Sequence, residues 1–193
     1  MMKTPIEAAA LTGPPLVPKP HQTKEVGKWC LHCAQSGSSC CQGHEIYITP
    51  GDCSRIRDYL RHADFYEYQP CRDHVYSEQD EDPLWKKFVF RTDGSRRVVR
   101  WKPNGDCLFL ESDGCRLPLN VRPLICRLHP RLYTAAGVLD QWDSSCPAVG
   151  QDRFENLEQS IAGTAKEEAM QWHHLLYHEI VLEGLSNENR PDL

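Results

Sequence analysis

Ten cysteines stand in this chain, and eight of them fall into a pattern that suits metal ligation. Cys30 and Cys33 form a C-x2-C knuckle. That spacing lets two thiolates converge on one ion while nearby backbone N–H groups support the sulfur charge. Cys40 and Cys41 follow after a short, small and polar stretch that can wrap around an ion. In extended backbone neighbouring side chains point to opposite faces, so one mononuclear ion is awkward for both members of this vicinal pair. The pair points to two sites or to one multinuclear cluster. Cys107, Cys115, Cys126 and Cys146 arrive singly, each beside a turn, a proline or both. Eight thiols suit two four-thiolate sites.

Other side chains take blander readings. Cys53 and Cys71 lie outside the pattern and are expected to pack or to touch each other. His44 and His129 each follow a patterned cysteine by three residues and could supply a nitrogen, but they read as surface or supporting imidazoles. His174 and His178 share a helix face at metal-competent spacing, without the Glu of H-E-x-x-H, and with His173 they read as ordinary helix-surface residues. Arg122 and Arg127 flank Cys126. Four thiolates around Zn²⁺ carry a net charge of about −2, and both guanidinium groups are expected to donate to sulfur and offset it. Asp106 and Asp113 read as turn formers. No catalytic residue is assigned.

The elements that must position these groups are short. The chain has 193 residues, a net charge of −5, and 40% hydrophobic residues that include five Trp, five Phe and seven Tyr, enough for a modest core. No apolar run is long enough to cross a membrane, and no secretory signal is evident. The acidic balance argues against duplex nucleic acid as a partner. Cysteine-rich chains without export signals fit a reducing, cytoplasmic setting, where metal or redox chemistry is favoured over disulfides. Residues 1–24 read as a flexible Pro-rich leader, 25–150 as the cysteine-cluster domain, 151–185 as a C-terminal helix packed on it and 186–193 as a tail. Within the domain, Ile46 to Ile48 reads as a strand, and Thr49-Pro50 with Asp52 starts a helix over about 50–63 with Ile56, Tyr59 and Leu60 on one face. Gln69 to Pro83 reads as an exposed acidic loop. Trp85–Phe90 and Arg97–Trp101 around Asp93-Gly94 read as a β-hairpin, and Arg131–Tyr133 with Val138–Trp142 as another. The fold class is α+β: a small, metal-stabilised domain of short strands and hairpins, one internal helix and a C-terminal helix.

The full string, C-x2-C-x6-C-C, then C-x7-C-x10-C and a final Cys-Pro, resembles the YkgJ family of zinc- or iron-chelating cysteine-cluster proteins over about residues 29–147. The match is carried by Cys30, Cys33, Cys40, Cys41, Ile48-Thr49, Arg55-Ile56, Cys107 to Leu110, Cys115, Arg122-Pro123, Cys126-Arg127 and Cys146-Pro147. Where the family commonly has Phe-Pro, this chain has His129-Pro130. The resemblance implies a metal-binding domain with those eight cysteines as ligands, leaves zinc against iron open, and implies no established reaction. A similar cluster in flagellin lysine methylases, associated with iron–sulfur and methyl transfer, makes an iron–sulfur enzyme or redox protein the alternative. A third reading is a metal-scaffolded interaction module that presents the acidic stretch 73–82 to a protein partner.

Overall fold

The computed structural model describes residues 33, 35, 39–72, 82–146, 149 and 166–188. The leader, Cys30, the acidic stretch 73–81 and residues 151–165 lie outside these.

Helix α1, Pro50–Leu60, starts as its sequence dictates: the Thr49 hydroxyl accepts from Asp52 N–H, Asp52 carboxylate accepts from Thr49 N–H, and Pro50 occupies the first turn. It ends at Arg61, which adopts a left-handed φ of 64°. Ile56 is fully buried, but Tyr59 is 51% exposed, so the expected three-residue apolar face is narrower than its spacing implied. At 100° per residue Tyr59 falls on the solvent side of Ile56, whereas Leu60 falls on the inner side.

Strand β1, Tyr66–Pro70, pairs antiparallel with β2, Ser95–Val99. Between them lies helix α2, Pro83–Phe88. This corrects the hairpin expected around Asp93-Gly94. Asp82 caps the helix through Trp85 N–H and Pro83 fills its first turn, so a strong start signal overrides the local alternation of apolar residues. The Asp93-Gly94 turn does form, but it joins a helix to a strand whose partner lies some thirty residues earlier. Asp82, read as part of an exposed acidic run, is buried, and its second carboxylate oxygen accepts from the Tyr177 hydroxyl.

Strands β3, Leu110–Glu111, and β4, Gly114–Cys115, make a minimal hairpin. Helix α3, Leu124–Leu128, carries Cys126. The expected second hairpin is present as β5, Arg131–Thr134, and β6, Gly137–Trp142. Helix α4, Lys166–Glu188, closes the fold. With two-stranded sheets and four helices among the described residues, the architecture is α+β.

Two apolar clusters hold these pieces. One packs α4, through Trp172, Leu176 and Ile180, on Trp85 and Phe88 of α2 and Leu124 and Leu128 of α3. The other gathers Ile46, Ile48, Ile56, Phe65, Val99, Phe109 and Leu117, with Cys107 inside it and Cys41, Cys115 and Cys126 against it. Buried charge is paired across the seams. Arg97 of β2 meets Glu183 of α4, and Arg55 of α1 meets both Asp52 and Glu179 of α4. Asp52 also accepts from Leu124 N–H at 3.1 Å, so one buried carboxylate caps α1, pairs Arg55 and receives the start of α3.

Two substitutions test this packing. Asp52→Ala leaves two buried N–H groups without their acceptor and weakens the Arg55 cluster; we expect a loss of about 3–5 kcal/mol in urea unfolding. Gly184→Ala gains about 1 kcal/mol of helix propensity. Its new Cβ would stand 1.9 Å from Cδ1 of Phe88, however, where α4 crosses α2. Overpacking costs about 1–3 kcal/mol, so the expected outcome is a lower urea midpoint despite the better helix former.

Candidate metal centre

The cysteines reach their places through backbone turns rather than long elements. Cys107 N–H donates to Cys41 carbonyl at 2.7 Å, and Gln42 bridges Asp106, so the first cysteine segment is stitched directly to the third. Cys107 then opens a turn closed by Leu110 N–H, while Phe109 N–H points at the Cys107 sulfur at 3.4 Å. That contact is the kind of amide support a thiolate needs. The β3–β4 reversal sets Cys115 opposite Leu110, and it passes through Gly114 at φ 104°, a backbone state that side-chain-bearing residues rarely adopt. Helix α3 brings in Cys126, and the turn after β6 brings in Cys146, whose N–H donates to Asp143 carbonyl.

All these positions border one cavity of about 560 Å³. Cys33, Cys40, Cys41, Cys107, Cys115, Cys126 and Cys146 line it; Cys53 and Cys71 do not. Cys30 lies outside the described residues. The thiols are arrayed around the cavity rather than converged on a point: among the described residues, no three His, Cys, Asp or Glu side chains share an ion-sized position. No disulfide joins two described cysteines.

Four of the seven form an inner group. Cys107 lies within the second apolar cluster, and Cys41, Cys115 and Cys126 pack against it. Burial pushes the Cys126 thiol well above its ordinary range, and Cys41, Cys107 and Cys115 push it further. Burial likewise pushes Cys107 up to about 12, with Cys41 and Cys115 adding to it. Cys41 is held below its ordinary value, first by a hydrogen bond from Cys40 and then, against burial, by the Arg122 guanidinium. Cys53 also packs against the second apolar cluster and is pushed up to about 12 by burial, with Arg97 pulling the other way, but it does not border the cavity.

The two arginines beside Cys126 bond to backbone. Arg122 Nε donates to Leu117 carbonyl at 2.9 Å, and Arg127 donates from Nε to Arg122 carbonyl and from Nη2 to Asn120 carbonyl. Both line the cavity, and the positive charge of Arg122 favours the thiolate forms of Cys41 and Cys126. Asp106 and Asp113 sit at their expected turns; Asp106 carboxylate accepts from Asn104.

His44 and His129, read from the sequence as surface or supporting imidazoles, line the cavity, and with them stands Asp143, which the sequence reading passed over. His129 Nδ1 stands 3.8 Å from Asp143 Oδ2, and His44 is close enough to both to influence their charge. Burial lowers the His129 pKa. Asp143 is fixed by accepting from the N–H and hydroxyl of Ser145, an Asx turn whose signal is legible in Asp143-Ser144-Ser145. Arg96, paired with Glu45 at 3.0 Å, and Arg131, stacked on Trp142, complete the charged lining, with no comparable signal in the local sequence.

The donor set, thiols with cationic and amide support, fits a thiophilic ion such as zinc or iron. No curated protein and no solved structure matches the chain. A family model does: CxxCxxCC, described as "Putative zinc- or iron-chelating domain", covers residues 29–159 and so takes in every cysteine that borders the cavity. By that match over most of its length, the chain belongs to the CxxCxxCC family of zinc- or iron-chelating domains.

Proposed function

We propose that this protein holds zinc or iron through the thiolates of Cys30, Cys33, Cys40, Cys41, Cys107, Cys115, Cys126 and Cys146, and that the bound metal fastens segments its short strands hold only loosely. One observation carries the reading: cysteines spread from position 33 to 146 border a single cavity, while the two unpatterned cysteines, Cys53 and Cys71, stay away from it. If thiols were there only as small apolar fillers, burial and not pattern would decide membership.

Packing supports a division of the set. Cys107, within the second apolar cluster, and Cys41, Cys115 and Cys126, packed against it, are assigned to one inner site. Cys33, the exposed Cys40 and the buried Cys146, none of them part of that cluster, are assigned with Cys30 to a second one. On this division the vicinal pair is split, Cys41 to the inner site and Cys40 to the other. Metal bound in such sites adds its binding free energy to folding, because the unfolded chain offers no preformed site.

The test is anaerobic purification with zinc, iron and acid-labile sulfide measured per chain on one sample. We expect about two ions per chain, the capacity of eight thiolates in tetrahedral sites. Cys126→Ser should remove one and Cys146→Ser the other, while Cys53→Ser and Cys71→Ser keep both. A folded chain without metal overturns the reading, and so does a Cys126→Ser variant that retains the full complement. Stripping the metal with a chelator should lower the melting temperature and speed proteolysis between residues 33 and 146, with α4 the last element to be cut.

A further inference from the structure

Helix α4 carries three histidines in its middle, and the structure treats them differently. His173 is buried and spoken for: its Nε2 lies 2.7 Å from Thr134 carbonyl, and its ring packs on Tyr133 and Tyr177. His174 and His178 point the other way, the first exposed and the second half-buried. Their rings face each other with centroids 6.4 Å apart and planes only 10° from parallel. Among the described residues no hydrogen bond or ion pair occupies either ring.

We infer that His174 and His178 form a second, solvent-facing metal site, a two-nitrogen chelate for a late first-row divalent cation such as Ni²⁺, Cu²⁺ or Zn²⁺, separate from the thiolate cavity. Residues four apart on a helix share one face, about 5–6 Å between Cβ atoms. Imidazole nitrogens bound at about 2.0–2.1 Å to one ion bring their ring centroids to about 5 Å, so the observed pair needs to close by little more than about 1 Å. Because the nitrogen lone pairs lie in the ring planes, and parallel planes do not meet, both rings must also turn about χ2, a torsion that is broad for histidine, to bring the two nitrogens onto one ion. Ligand type sets the class of ion, since neutral imidazole suits nickel, copper and zinc and does not suit magnesium or calcium.

Preorganisation distinguishes this pair from two histidines on a frayed helix. The opposite face of α4 is locked by Trp172, Leu176 and Ile180 in the core. On its flanks Glu179 is paired with Arg55 and Glu183 with Arg97. The backbone under both imidazoles is therefore fixed before any ion arrives, and binding orders little beyond four side-chain torsions. Two nitrogens leave a four-coordinate ion two positions open to water, so the site exchanges readily, unlike a closed four-thiolate site.

The experiment uses the full chain with its cysteine sites already filled with zinc. Ni²⁺ is titrated by calorimetry, and bound Cu²⁺ is read in parallel by electron paramagnetic resonance. We expect about one added ion per chain and copper signals split by two nitrogens, as a bis-imidazole chelate requires. His174→Gln and His178→Gln should each weaken Ni²⁺ binding by at least about tenfold, because removing even an outer partner of a metal ligand costs about 10–100-fold. Zinc in the cysteine sites should stay unchanged in both, and since neither side chain is buried, helical circular dichroism should too. Absence of added Ni²⁺ in the unsubstituted chain overturns the inference. Binding of wild-type strength in both variants overturns it equally. Failure of the thiolate sites to hold zinc bears on the preceding proposal alone; the present inference is then read with all cysteine thiols alkylated, from the Ni²⁺ affinity lost in His174→Gln and His178→Gln relative to the unsubstituted chain.

Discussion

One buried carboxylate holds the fold's separate pieces in register. Asp52 is completely inaccessible to solvent, and it accepts from Thr49 N–H, Leu124 N–H and Arg55. An isolated carboxylate in such a place would cost several kcal/mol, so the site exists only because each of those donors is supplied. Burial raises its pKa while Arg55 draws it back down. The consequence is geometric. The start of α1, the start of α3 and, through Arg55 and Glu179, the middle of α4 are tied to one point. Cys126 sits two residues beyond Leu124, so the position of an inner thiol is set by a charge outside the cavity.

From that point the fold divides its labour. Helix α4 covers α2 and α3 with aromatic and aliphatic side chains and clamps α1 and β2 with Glu179 and Glu183. Among the described residues, the turns around Cys41, Cys107 and Cys115 rest on the second apolar cluster, but their paired elements are two-residue strands and single bridges, which contribute few ladder hydrogen bonds. A region built this way gains rigidity from cross-links, and thiolate-held metal is the cross-link proposed for it.

Much of this was legible in the sequence, where local chemistry decides structure. Thr49-Pro50 and Asp52 specified the α1 start, Asp113-Gly114 the reversal before Cys115, and the Arg131 and Val138 runs a hairpin. Pairing, turn positions and the family pattern set eight cysteines apart from Cys53 and Cys71, and the seven of those eight that are described border the cavity. What failed was long-range pairing. Nothing near Ser95–Val99 announces that its partner is Tyr66–Pro70, and the alternation in Trp85–Phe90 hid a capped helix. Asp82 read as a solvated charge because its burial depends on Tyr177, nearly a hundred residues away. The three histidines of α4 could be placed on a helix from sequence, but which ring turns inward was decided by Tyr133 and Thr134 of β5.

The arginines around the cavity carry the argument one step further. Arg127 is 5% exposed; its hydrogen bonds go to backbone carbonyls, and Asp52 and Glu179 favour its charge without forming an ion pair with it. Burial lowers its pKa to about 10, which still leaves it protonated at neutral pH. A buried cation so placed is expensive for a protein whose thiols are all neutral, since dipoles of carbonyl groups replace only part of its hydration. Under the proposed ligation the cost falls. Four thiolates on a divalent ion carry a net charge of about −2 next to Cys126, and Arg122 and Arg127 stand on the wall that faces it. The same guanidinium groups that burden the metal-free fold then favour the thiolate form of the site. Under that ligation, charge built into the wall and charge brought by the ligands complement each other, which would couple the stability of this half of the molecule to its occupancy.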